Sequence, residues 1–188
     1  MLFPVASPLL VNFVGGTRGA WRIDVLTAVT GRPLRVVDRV DVVEGEALDD
    51  RAGVWVLRGT TSNERYVERP ERDALVARQP TLRRPGATRA ALTPISKSPA
   101  WWDLTQEERR TIIETRSRHI ATGLAYLPAV ARRLHHGRDL QQEFDFLTWF
   151  EFAPADAGPF EELVGRLRET EEWSYVDREI DIRLQYAG

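Results

Sequence analysis

The chain has 188 residues, 43% hydrophobic and 29% charged, the balance of a folded globular protein rather than a disordered one. That length buries a core without covalent staples, as one domain or as two small fused ones. A net charge of −2 excludes a global field that would hold nucleic acid, and the lack of any cysteine excludes disulfides, thiolate metal sites, a cysteine nucleophile and covalent cofactor attachment through Cys-x-x-Cys-His.

Three apolar stretches, Leu9 to Val14, Ala20 to Val29 and Leu34 to Val43, are each bounded by Gly, Pro or Asp and read as strands. The opening Met1 to Gly16 lacks a basic region and a small-residue cleavage site, so it reads as a leading segment and first strand rather than an export signal. No apolar run reaches membrane-spanning length, and the expectation is a cytoplasmic protein. Gly53 to Gly59 is a further strand. A helix is predicted from Ser62-Asn63 to about Arg78, before Pro80 and Pro85 break the chain. Thr88 to Ile95 returns as a strand. Thr105 and Glu108 form a capping box, from which one helix is predicted to His119 or a turn beyond, with Gly123 available to end it. Tyr126 to His136 and Phe144 to Phe152 read as a hairpin, with Phe144, Phe146, Phe150 and Phe152 on one face. Pro159 to Glu169 is amphipathic, and Glu179 to Tyr186 alternates, with Ile180, Ile182 and Leu184 in and Asp181, Arg183 and Gln185 out. This order of strands and helices predicts an α+β fold of two tandem ferredoxin-like halves.

Few residues single themselves out for chemistry. Of 26 basic residues only Lys97 is lysine, which a coding bias toward arginine explains without function. The histidines are His119, His135 and His136. His119 falls seven residues after Ile112, on the inward face of the predicted helix, either as a core histidine or as a ligand held rigidly. His135 and His136 are adjacent on a strand, so they point opposite ways and cannot both serve one metal; they read as surface or hairpin-end residues. No HExxH, glycine-rich phosphate loop or nucleophile elbow occurs. Arg132 shares a strand face with Val130 and Leu134, and Arg133 lies on the other face; the pattern alone does not decide which is inside. Trp101, Trp102 and Trp149 serve equally as core or as walls of an apolar pocket.

The run HIATGLAYLPAVARRLHHGRD, from His119 to Asp139, resembles the haem-binding region of chlorite dismutases. FDFLTWFEFAP (Phe144 to Pro154) and ETEEWSYVDREIDIRL (Glu169 to Leu184) match the same family, and SNERY (Ser62 to Tyr66) and Lys97 followed by Trp101-Trp102 also fit. The resemblance runs from about Gly53 to the end, and the short length is similar to the compact, dimeric branch. It implies a dimeric α+β barrel of antiparallel sheets with helices on the outer face, divided here as an N-terminal half over 1–98 and a haem-binding half over 99–188. It implies haem b as cofactor, His119 as the proximal iron ligand and Glu172, chosen over Glu171 for its place beside Trp173, as the carboxylate bonded to that imidazole. Arg132 matches the charged residue over the open face, Leu134 and Phe150 the apolar distal wall, and Tyr66, Lys97 and Trp101 the haem-edge contacts.

The implied activity is that of a haem-dependent oxidoreductase converting chlorite to chloride and dioxygen, by oxygen-atom transfer to ferric haem and O–O bond formation. The implied partners are that small anion and a second copy of the chain, with neither nucleic acid nor membrane. Coproporphyrin-haem decarboxylases share the fold and proximal histidine but lack the arginine and use a tyrosine near the matching lysine; here Arg132 is present and no tyrosine occurs between Tyr66 and Tyr126. A non-catalytic haem-binding protein on the same fold, and a ferredoxin-like binding module with His119 merely in its core, are the remaining readings.

Overall fold

The computed structural model describes residues 9–46, 53–61 and 67–188. Eight antiparallel strands close into a barrel: β1 (Leu10–Gly16), β2 (Trp21–Thr30), β3 (Arg39–Glu44), β4 (Trp55–Thr61), β5 (Arg89–Lys97), β6 (Ala131–His136), β7 (Phe146–Phe152) and β8 (Val176–Tyr186). Their order is β1-β3-β2-β8-β5-β7-β6-β4, and β4 pairs back onto β1, so no sheet edge is left open. Reading round the barrel, β4-β1-β3-β2 and β8-β5-β7-β6 each have the strand order of a ferredoxin-like unit. The predicted α+β barrel of two halves is therefore observed. Strand β5 pairs with β7 and β8, so it belongs to the second group of four strands.

The helices are α1 (Arg69–Arg78), α2 (Pro99–Asp103), α3 (Gln106–Arg110), α4 (His119–Ala125) and α5 (Ala157–Arg168), with a π-helical segment over Thr111–Arg116. Strand alternation sorts the second half into two layers. Leu92, Trp149, Ile180, Ile182 and Leu184 fill the barrel with Val11, Phe13 and Leu57. The opposite face carries Ala91, Phe150 and Phe152 under Phe160, Leu163, Val164 and Leu167 of α5. Phe160 stacks on Phe152 at 4.4 Å and meets Phe150 edge-on at 5.3 Å, arrangements that add about 1 kcal/mol each beyond area burial.

Several local expectations are corrected by this packing. The face of β8 expected outward is covered: Asp181 is buried, and Arg168 on α5 bonds Glu179 at 2.6 Å and Asp181 at 2.9 Å. The strand expected from Leu34 starts only at Arg39, because Leu34 and Val37 are spent on packing, Leu34 into the barrel core. Tyr126 to Val130 is a turn, and β6 starts at Ala131. Phe144 precedes β7 and joins the barrel core, so only Phe146, Phe150 and Phe152 share the outer face. The helix start at Ser62-Asn63 falls outside the described residues; α1 is capped by Glu68 and Glu71.

His135 and His136 point to opposite faces, yet both are buried rather than at the surface, because β6 is covered on both sides. His135 faces the barrel, meets Phe13 edge-on at 5.1 Å and donates from Nδ1 to the Leu147 carbonyl at 3.1 Å. Burial, with Arg133 and His136 nearby, pushes this imidazole down to about 4 despite that hydrogen bond. The unfolded chain therefore binds a proton here between about pH 6.5 and 4 that the fold refuses, so stability falls on acidification through that window. Unfolding by urea should show roughly 2 kcal/mol less stability at pH 4.5 than at pH 7 from this residue. His135→Gln should flatten that slope; the same slope in both proteins would refute the assignment.

Candidate active site

The helix that carries His119 is not the one expected. The capping box of Thr105 and Glu108 forms, with Glu108 N donating to Thr105 Oγ1 at 3.2 Å and Thr105 N to Glu108 Oε2 at 2.7 Å. The helix it starts passes into the π-helical segment and stops at Ser117 and Arg118. Arg118 has φ 51° and ψ 36°, the left-handed region that a side chain disfavours. His119 is thus the first residue of a new helix, α4, and the expected continuous helix is broken just before it. Gly123 lies inside α4 and does not end it. It faces the Arg132 guanidinium so closely that a Cβ there would come within 2.2 Å of Nη1.

Around His119 three groups form a hydrogen-bonded chain whose other two members are buried. Its Nδ1 lies 2.6 Å from Glu172 Oε2, and the other carboxylate oxygen accepts from Lys97 Nζ at 2.9 Å. A carboxylate only accepts, so Nδ1 carries the hydrogen. Nε2 is the ring nitrogen that Glu172 does not engage, on a residue that lines the cavity. The Lys97 and Glu172 side chains are 3% and 8% exposed. Burial alone would raise the Glu172 carboxyl, but His119 and Lys97 outweigh it and hold it well below the ordinary carboxylate range. Glu172 N donates to Ser117 Oγ at 3.0 Å, and the Lys97 ammonium lies 4.6 Å from the Trp101 ring centre. Glu171, the alternative by one residue, pairs instead with Arg116.

These groups open onto a cavity of about 510 Å³ between the outer face of β5–β8 and the helices, within the size range of a small-molecule or cofactor site. Arg132, Leu134 and His136 of β6 line it with Phe146 and Phe150 of β7; Ile113, Ile120, Val164 and Leu167 come from the helical side. Arg132 has no carboxylate or carbonyl partner for its guanidinium among the described residues. Burial lowers its pKa, yet a guanidinium stays charged at any working pH. Gln79 at the end of α1 donates to the Arg132 carbonyl, tying α1 to β6. Arg133 borders this cavity too and also lines the barrel end with His135 and Glu151.

The structure thus brings His119, Glu172, Lys97, Trp101, Arg132, Leu134 and Phe150 to one cavity. Lys97 is engaged with Glu172 rather than standing free at the rim. Tyr66 lies outside the described residues, between Thr61 and Val67, which both line the cavity. The sequence pattern had His136 as a surface or hairpin-end residue and assigned no site role to Gln79 or Trp173, yet all three line the cavity. The period of two along β6 put His136 beside Arg132 and Leu134 and was signal enough; Gln79 carried none.

Glu172→Gln should destabilise the protein by on the order of 3 kcal/mol in urea unfolding, because it leaves a buried ammonium without a counter-charge. Lys97→Met combined with Glu172→Gln should recover part of that loss. A single variant as stable as the parent would show that the pair carries no such cost.

The family model for chlorite dismutase matches residues 52–185. A chlorite dismutase from Ideonella dechloratans is 36% identical over 86 residues, 46% of this chain but only 28% of that protein, well under two thirds of its length. A dimeric chlorite dismutase from Nitrobacter winogradskyi superposes with a TM-score of 0.88 at 52% identity, over 94% of this chain and 99% of that one. A mutant chlorite dismutase from Candidatus Nitrospira defluvii aligns with a TM-score of 0.68 at 18% identity, over 95% and 91% of the two chains, a likeness of fold alone.

Proposed function

The chain belongs to the chlorite dismutase family, and we propose that it is a haem b-dependent chlorite dismutase, with His119 as iron ligand and Arg132 as the cation that receives chlorite. The observation that carries this is a half-buried guanidinium, without a carboxylate or carbonyl partner among the described residues, in the same cavity as an imidazole anchored by a buried carboxylate.

The residues fit the cofactor. His119 lines the cavity, and its Nδ1 is taken by Glu172, which leaves Nε2 as the nitrogen to hold a metal. A tetrapyrrole would supply the remaining ligands of a metal held by His119. The Trp101 indole N–H is buried without a partner among the described residues, a donor suited to the acidic edge of such a group. The apolar flanks suit its flat faces.

Haem b bound here would supply the redox chemistry that turns chlorite into chloride and dioxygen. Glu172 accepts the Nδ1 proton's hydrogen bond, which fixes the tautomer and raises the basicity of Nε2. Lys97 draws charge from the same carboxylate and so limits how far it pulls that proton. Arg132 attracts the chlorite anion into a water-poor cavity, where the attraction is stronger than in solvent. It also keeps an anionic chlorine–oxygen fragment from leaving before the O–O bond forms, a proximity effect. The proposal extends to a cytoplasmic homodimer. The Nitrobacter winogradskyi protein is dimeric, and among the described residues no helix is long and apolar enough to cross a membrane.

Haem-supplied protein given chlorite in an oxygen-electrode cell should release dioxygen rapidly. Arg132→Ala should keep its haem spectrum yet stop after fewer turnovers, and His119→Ala should lose haem affinity. No oxygen from the haem-loaded parent would sink the proposal, and consumption of coproporphyrin haem with peroxide would then move the protein to haem synthesis.

A further inference from the structure

His119 opens α4, and the residue before it, Arg118, provides no side-chain cap. The first backbone N–H groups of a helix have no partner within the helix, and those near a buried wall require one. Here the partner comes from outside α4. Glu114, on the preceding π-helical segment, accepts Ile120 N at 2.8 Å through Oε2 and Ala121 N at 3.3 Å through Oε1. Its main chain is held too, since the Glu114 carbonyl accepts Arg118 N at 3.1 Å. One half-buried carboxylate thus ties together the π-helical segment, the left-handed step at Arg118 and the first turn of α4.

The consequence reaches the imidazole. The ring of His119 is fixed at Nδ1 by Glu172, whose own N–H is bonded to Ser117 in the same connection. The backbone of His119 is fixed by the two N–H groups directly after it. Glu172 sets the ring's tautomer and direction; the cap sets where the ring starts from. A carboxylate at a helix N-terminus is also favoured by the helix dipole, so the cap gains from charge as well as hydrogen bonds.

We propose that Glu114 is a positioning residue for His119: its carboxylate clamps the first turn of α4 so that the imidazole reaches Glu172 and the cavity in a single placement. This rests on the reading of His119 as the iron ligand. Without the clamp, the first turn of a seven-residue helix frays and the ring samples several placements.

The test compares Glu114→Ala and Glu114→Gln with the parent and with His119→Ala. Resonance Raman spectra of the ferrous haem-loaded proteins report the iron–histidine stretch, and haem titration reports affinity. Amide exchange at Ile120 and Ala121 in the haem-free proteins reports the cap directly. Glu114→Ala is expected to speed exchange at those two amides, broaden or split the stretch, and weaken haem binding roughly tenfold to a hundredfold. Glu114→Gln, which keeps one side-chain oxygen as acceptor, should fall between. A lower Tm with an unchanged stretch and affinity would overturn the inference and leave Glu114 as a cap only; should the alanine variant not fold, the glutamine variant decides on the same measurements. If His119→Ala keeps the parent's stretch, the ligand assignment itself fails and the inference falls with it, a result separable from an unmoved Glu114 variant.

Discussion

An ammonium, a carboxylate and an imidazole stand in one hydrogen-bonded chain, Lys97–Glu172–His119, with the first two groups almost wholly out of water and the imidazole half-buried at the cavity. Removing two charges from solvent costs several kcal/mol each, and only close mutual contact offsets that cost. The rest of the second half is arranged to hold the three together. Lys97 comes from the end of β5, Glu172 from a short turn before β8, and His119 from the head of α4. Strands β5 and β8 are neighbours in the barrel, so the first two are brought close by strand pairing. The third depends on a helical connection that must end in the right place.

That dependence explains the irregular backbone between α3 and α4. A regular helix through residue 119 would carry the histidine along the phase set by Ile112. Instead the π-helical segment and the left-handed Arg118 interrupt it, and Glu114 supplies the hydrogen bonds that the interruption would leave unmade. Departures from regular backbone are tolerated where surrounding contacts over-determine them.

The barrel contributes a second kind of order. Its strands have period-two alternation, which separates the neighbours: Arg132 lines the cavity alone, whereas Arg133 borders both that cavity and the barrel end. Arg132 meets an apolar cavity with Gly123 below it, where the missing Cβ leaves room for the guanidinium. Arg133 joins a polar barrel end with Glu151 and His135. The two halves also differ for a physical reason: α5 covers β5–β8 and turns the charged side of β8 into a buried network of Arg168, Glu179 and Asp181. A cavity forms on the covered face because helices stand over it.

The sequence by itself determined that most of the strands exist, the inward Ile180, Ile182 and Leu184 of β8, α5, the capping box at Thr105 and the set of residues that resemble a haem pocket. These are local signals, carried by periodicity, capping chemistry and motif order. Tertiary structure decided the rest. Whether Asp181 and His136 are buried depends on layers that pack over them. What Arg132 and Arg133 each face depends on which layers cover the two sides of β6. Where the helix breaks before His119 depends on a hydrogen bond between residues that no period links. Leu34 and Phe144 read as strand residues because they are apolar, but their apolar surface was needed in the barrel core instead. Burial is a property of what lies on the other side of a residue, and a one-dimensional pattern does not contain it.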